Sequence, residues 1–307
     1  MSDLPQILQD YLALRRSLGF KLEREGSLLP NFVAFLDKSG SPVITSALSF
    51  AWATQPSAAT AHWWATRLSM VRAFARYVRT IDTRTEVPPQ DALPRTRPRK
   101  QPYIYSDADV AALMAVTRRI TDPFRAHTYR TLIGLLASTG MRVGEAIHLD
   151  RTDLDRQEGV ITVRNAKFGK SREIPLHSTT LEAIEAYARH RHRRFCRPVS
   201  SAFLLSLAGS RLLYQNVHLT FLRLVQWAGL SDRKPRRPRI HDLRHAFAVR
   251  TLIDAYRAGL DVERQLPLLS TYLGHVNPSS TYWYLSAVPE LLGVAARRLE
   301  SSLGELP

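Results

Sequence analysis

One cysteine, Cys196, in 307 residues leaves no partner for an intramolecular disulfide and points to a reducing compartment. No run of about 18 apolar residues occurs. The start, MSDLPQILQDYLALRR, has neither the cationic head nor the continuous apolar stretch of a secretion signal, so a cytoplasmic protein without a membrane partner is expected. Acids are scarce: 27 Asp and Glu stand against 43 Lys and Arg, for a formal net charge of +16. Self-repulsion on this scale implies a polyanionic partner, with nucleic acid the first candidate. The few acids also argue against a carboxylate-built metal site. Glu145, Asp150, Asp153 and Asp155 lie beside a helix and a turn, where capping and ion pairing account for them. A hydrophobic content of 45% is enough for a sizeable core, in one large or two modest domains.

The apolar spacing predicts helices over residues 2 to 80. Ser2 or Asp3 caps the first, which carries Ile7, Leu8, Tyr11, Leu12 and Leu18 until Gly19. The second buries Leu28, Leu29, Phe32, Val33, Phe35 and Leu36, and a short third spans Thr45 to Thr54. A long fourth from about Ala58 to Thr80 buries Trp64, Leu68, Val71, Phe74, Ala75 and Val78, while Arg67, Arg72, Arg76 and Arg79 project elsewhere. Five prolines in VPPQDALPRTRPRKQP then block helix and sheet, and Arg95, Arg97, Arg99 and Lys100 charge the segment. We read it as a cationic linker over 87–102, with Arg97, Arg99 and Lys100 as phosphate contacts.

Beyond it the period stays helical, starting from a cap at Ser106 or Asp107 and continuing through a buried helix from about His127 to Ser138. Thr139-Gly140 turns the chain into a short helix, RVGEAIHL. The period then drops to two. Val160, Thr162 and Arg164 alternate, Phe168-Gly169 turn, and Arg172, Ile174 and Leu176 return, which predicts a small antiparallel insertion. Further helices are expected over Thr180 to Arg194, Tyr214 to Ala228 and Leu243 to Ala258, then near Leu268, around Tyr284 and after Pro289. The predicted class is mainly α with a small antiparallel β insertion.

Several of the remaining polar residues suit phosphodiester exchange. That reaction needs a nucleophile at phosphorus, stabilisation of the non-bridging oxygens and a proton for the departing oxygen. Arginine forks can do electrostatically what a metal would, so neither metal nor cofactor is expected. Tyr284 stands nine residues after His275 in LGHVNPSSTYWYL, with Tyr282 its rival in the same run. His241 and Arg244 sit three apart in HDLRH, at a helix start. The preceding run RKPRRPR, including Arg236 and Arg237, is either a solvated loop or a contact to DNA near the cleavage point.

These segments resemble those of the tyrosine recombinases, or phage-type integrases, over nearly the whole chain. TGMRVGEAIHL is similar to the family's first arginine box, HDLRHAFA to its second, and YLGHVNPSSTYWYL to the segment bearing the nucleophile. The resemblance implies that Arg142 and Arg244 clamp the phosphate, Glu145 supports the local turn, His241 and His275 assist, and Tyr284 attacks. AKFGKSREIPL resembles the family's hairpin, whose lysine protonates the leaving 5′ oxygen; Lys167 fits that place and Lys170 competes for it. YLALRRSLGF, LLPNFVAFL and LSMVRAFARYV resemble a helical core-binding domain, here 1–86, that clamps DNA opposite a catalytic domain, here 103–307. By the same resemblance the partner is double-stranded DNA, in a homotetramer on synapsed sites, with sister recombinases as further partners.

Two departures stand out. The stretch between HDLRH and LGH is longer than the compact family form, and YWYL replaces the usual tail, which suits recombinases of transposon-like elements. Leu291, Leu292, Ala295 and Leu299 form a last amphipathic stretch, either docked on a neighbour or packed at home. A type IB topoisomerase and a non-catalytic DNA-binding accessory protein remain as other readings of the same residues.

Overall fold

The computed structural model describes residues 3–93, 101–164, 171–196, 200–234, 237–275, 277, 281–282 and 293. The chain divides into two compact units, Met1–Lys100 and Gln101–Pro307.

Four helices build the first unit: α1 (Leu4–Ser17), α2 (Glu23–Lys38), α3 (Ser46–Thr54) and α4 (Ala61–Arg79). Three of them start the same way. Asp3, Thr45 and Thr60 each accept, through a side-chain oxygen, the backbone N–H three residues on, satisfying a donor that the first turn leaves orphaned. Thr60 therefore sets the start of α4 at Ala61 rather than near Ala58. The core holds Leu29, Phe32, Leu36, Trp52, Leu68 and Phe74, with Phe32 edge-on to Trp52 at 5.2 Å.

Two expectations fail in this unit. Leu18 is 64% exposed, because α1 ends at Ser17 and Gly19, at φ +86°, turns the chain away. Arg67 and Arg72 do not project outward but are buried, each reaching backbone carbonyls. Arg67 Nη2 donates to Trp52 O at 2.7 Å with its guanidinium 3.7 Å above the Trp52 ring, and Arg72 Nε donates to Pro88 O at 2.8 Å. Val87 and Leu93, from the proline-rich segment, pack on the same core. Proline cannot donate to a ladder, but its carbonyl accepts well, which is how that segment is fastened.

The second unit contains α5 (Asp107–Val116), α6 (Pro123–Thr139), α7 (Val143–His148), β1 (Leu154–Asp155), β2 (Val160–Val163), β3 (Arg172–Pro175), α8 (Ser178–Arg194), α9 (Tyr214–Trp227), α10 (Asp242–Arg257) and α11 (Val262–Leu273). Helix α6 is central, packed by α5, α8 and α10. The sheet runs β1-β2-β3, antiparallel throughout, with Leu154 opposite Ile161 and Ile161 opposite Ile174. Ile161, Val163 and Ile174 face the core, which Leu132, Leu136 and Phe221 continue. A second apolar cluster, with Val249, Leu252, Leu266 and Leu273, locks α11 to α10. No helix among the described residues is long and apolar enough to cross a membrane.

Candidate active site

Helix α6 ends at Gly140, whose φ of +61° is the left-handed conformation that terminates a helix with least strain in glycine. Two residues later Arg142 stands at the N-cap of α7. Its backbone N–H donates to Glu145 Oε2 at 2.8 Å and its Nη1 to Glu145 Oε1 at 2.8 Å, so one carboxylate fixes both the turn and the guanidinium. Glu145 is shared with Arg172 at the start of β3, which donates Nη1 to Oε1 at 3.1 Å and Nη2 to Oε2 at 2.8 Å. Burial alone would raise the Glu145 carboxyl. The hydrogen bonds from Arg172 and from the Arg142 backbone outweigh burial and hold it at about 2.

Helix α10 starts through a second acid. Asp242, fully buried, accepts the Arg239 backbone N–H at 2.9 Å and Arg239 Nη2 at 2.7 Å, which pins HDLRH at the helix start. Arg244, 2% exposed, then points to the end of α6 and donates Nη1 to Gly140 O at 2.9 Å. His241 keeps an exposed face. The protein packed about its ring, then the Arg244 charge, lower its pKa below the ordinary imidazole value, and Arg142 acts on it in the same sense. The His245 ring meets it edge-on at 4.9 Å.

The three arginines converge on the C-terminus of α11. Arg172 Nε donates to Tyr272 O at 2.8 Å, Arg244 Nη2 to Leu273 O at 2.7 Å, and Arg142 Nη2 to Gly274 O at 3.0 Å. Consecutive carbonyls at a helix end have no intrahelical donors and carry the negative end of the helix dipole, so cations from β3, α10 and α7 are held there for one physical reason. Gly274, at φ +66°, turns the chain into His275, whose Nδ1 lies 2.7 Å from the buried Thr281 Oγ1. The hydrogen bonds thus draw Arg142 and Arg244 to the residues immediately before His275, and His241 stands beside Arg244.

Lys167 and Tyr284 lie outside the described residues, as do Arg97, Arg99, Lys100, Arg236 and the competitor Lys170. Arg237 is exposed, with one long hydrogen bond to Leu222 O at 3.5 Å. Tyr282 is 50% exposed. Asp150 and Asp153 bond to Arg211 and Arg164, as their reading as ion-pairing residues requires. Among the described residues no group of three His, Cys, Asp or Glu is placed to hold a metal ion. From the sequence alone Arg172 reads only as a strand residue. Its signal was faint: a cation at the mouth of a strand, with its partner Glu145 far off in the chain.

Comparison with known proteins gives a consistent set. The model of the Phage integrase family matches residues 105–290. The Sinorhizobium fredii protein named "Putative integrase/recombinase y4rB" is 43% identical over 307 residues, covering 98% of each chain. The "Tyrosine recombinase XerC" of Pelotomaculum thermopropionicum is 29% identical over 242 residues, covering 76% of this chain and 73% of its own. Among solved structures, the Tn1549 transposon integrase in complex with transposon right end DNA superimposes with a TM-score of 0.65 at 19% identity, covering 96% of this chain and 99% of that one.

Proposed function

Because this chain belongs to the phage integrase family, we propose that it is a site-specific DNA recombinase that cuts and rejoins strands through a 3′-phosphotyrosyl intermediate, in the integration or transposition of a mobile element. The observation that carries this reading is the convergence of Arg142 and Arg244 on the carbonyls of residues 273 and 274, next to His275, with His241 alongside. Two guanidiniums so held offer fixed donors to the oxygens of a bound phosphate, which is where negative charge grows during transfer.

In this reading Tyr284 Oη attacks the scissile phosphorus and the P–O5′ bond breaks. A free tyrosine has a pKa of about 10, so reaching the phenolate at neutral pH costs about 4 kcal/mol. The neutral His241 imidazole takes that proton as the arginines stabilise the phosphorane, and Lys167 protonates the departing 5′ oxygen. The phosphodiester energy stays in the protein–DNA ester. Attack by a 5′ hydroxyl of another strand reverses the step without ATP or metal. In this reading residues 1–86 clamp the duplex, the basic segment 87–102 contacts phosphates, and two strand exchanges proceed in a tetramer on two sites. The Tn1549 integrase, described with transposon DNA, supports the mobile-element role.

The test is covalent trapping on nicked duplexes drawn from the flanks of the gene's own locus, in the presence of EDTA. The wild-type chain is expected to give a protein–DNA adduct and Tyr284→Phe to bind without one. An adduct of normal yield from Tyr284→Phe removes Tyr284 from the role, and relaxation of plasmids carrying no special site turns the reading to a type IB topoisomerase.

A further inference from the structure

A groove of about 1000 Å³ opens on the second unit along the C-terminal half of α8, and none of the candidate active-site residues lines it. Five arginines do: Arg151, Arg156, Arg189, Arg191 and Arg193, with Glu185 as the one acid among them. Glu185, Arg189 and Arg193 recur every fourth residue of α8 and so share one face, to which Arg151 and Arg156 are added from either side of β1. None of the five is in an ion pair with a described residue. Elsewhere in the unit arginines of this kind have found acids, as Arg211 has found Asp150 and Arg164 has found Asp153.

Arg191 is the decisive member. It is 4% exposed, its Nη2 donates to Ala202 O at 2.9 Å, and its Nε is buried with no hydrogen-bond partner among the described residues. A buried donor left unsatisfied costs about 1–3 kcal/mol, and more when it is charged. Burial first, and then the charge of Arg151, lower its pKa, so the cluster is a place where positive charge is crowded and an anion would relieve it. Apolar side chains, Leu154, Ala188 and Phe203, also line the groove and offer surface to the sugars of a strand rather than to a bare ion.

We propose that this groove is a second nucleic-acid seat, in which the phosphodiester backbone of a DNA segment other than the one under cleavage lies across the arginines of α8. Its size exceeds the needs of a single phosphate. Arginine is suited to the task, since a planar fork gives two parallel hydrogen bonds to one phosphate and keeps its charge at any relevant pH. Interactions of this kind position a duplex and carry no sequence preference. The inference rests on the proposed function only for the identity of the polyanion.

Cys196, the one cysteine of the chain, is exposed and lies two residues beyond α8 and three beyond the groove residue Arg193, which makes it a native attachment point. The full-length chain, alkylated at Cys196 with an azidophenacyl photocrosslinker, is irradiated with a 60-bp duplex of arbitrary sequence. The expected result is a protein–DNA crosslink that falls at least tenfold in Arg189→Glu/Arg193→Glu. Both residues are exposed, so the variant keeps its fold, which its circular dichroism checks. The variant is also expected to lower the salt slope of binding by about 1 for each phosphate it no longer neutralises, while still forming a covalent adduct on a short nicked site. A crosslink unchanged in the variant overturns the proposal, as does one that joins two protein chains and no DNA, which would assign the groove to an acidic protein segment. Failure of the wild-type adduct on the short site, by contrast, strikes the recombinase reading alone.

Discussion

Arg172 commits all three guanidinium nitrogens, two to Glu145 and one to Tyr272 O. With all three committed to protein groups, it is expected to position Arg142 through the shared carboxylate. A lysine has one nitrogen and cannot span both sites. Arg172→Lys and Arg172→Ala are therefore both expected to slow cleavage on the order of tenfold or more at saturating DNA while leaving DNA affinity within about twofold, in line with a change in orientation rather than binding. Single-turnover kinetics beside an equilibrium binding curve would separate the two, and full rescue by lysine would mean that charge alone suffices. His241 makes a second test at this scale. Its lowered pKa keeps the imidazole neutral at pH 7, able to accept a proton. Cleavage is expected to fall only as the pH drops below the ordinary value of about 6.5, and His241→Gln is expected to lose that acid limb along with most of the rate.

At the scale of elements, the end of α6 is the most exacting joint. A Cβ on Gly140 would clash with the Phe247 ring, at a φ of +61° that side chains rarely adopt, and the Gly140 carbonyl receives Arg244. Gly140→Ala is expected to destabilise the protein by about 2–4 kcal/mol from backbone strain and overpacking together, read as a shift in the urea midpoint. The same joint shows what a single sequence can and cannot reveal. Gly140, the cap at Ser106, the helix over RVGEAIHL and the pairing of β2 with β3 were all legible, because glycine, capping oxygens and a change of period are local signals. Strand β1 has two residues, too few to display a period, and α11 is fuller than the short helix expected near Leu268 because Pro267 suggests a break that the helix absorbs. The candidate site was legible as side chains: Arg142, Glu145, His241, Arg244 and His275. Its other half was not, since the carbonyls of residues 272, 273 and 274 are backbone groups that no residue type announces. For the same reason Arg67 and Arg72 read as surface cations until Trp52 and Pro88 supplied their acceptors.

For the whole molecule, charge is the governing quantity. With a formal net charge of +16, binding to duplex DNA is expected to be strongly salt-dependent, log K falling with log salt by about 0.9 for each phosphate neutralised. Titration from 50 to 200 mM salt on an arbitrary 40-bp duplex should weaken binding by about a thousandfold or more if six or more phosphates are engaged. A flat response would mean that the surplus charge serves another partner. Part of that surplus is arranged rather than diffuse: Arg142 and Arg172 share the single carboxylate of Glu145, and the α8 groove sets five arginines about one acid.

The three arginines gathered on the end of α11 also impose an order in time. Each of them belongs to a part of the chain made before residues 272 to 274, and a nascent chain emerges at about 5–20 residues per second. Until that last stretch arrives, Arg142 and Arg172 have Glu145 to hold them but lack their carbonyl anchors on α11. The segment that carries Tyr284 follows directly behind those anchors. Of the proposed site residues Tyr284 is therefore the last to be synthesised, and on the proposed mechanism a chain released before it would lack its nucleophile.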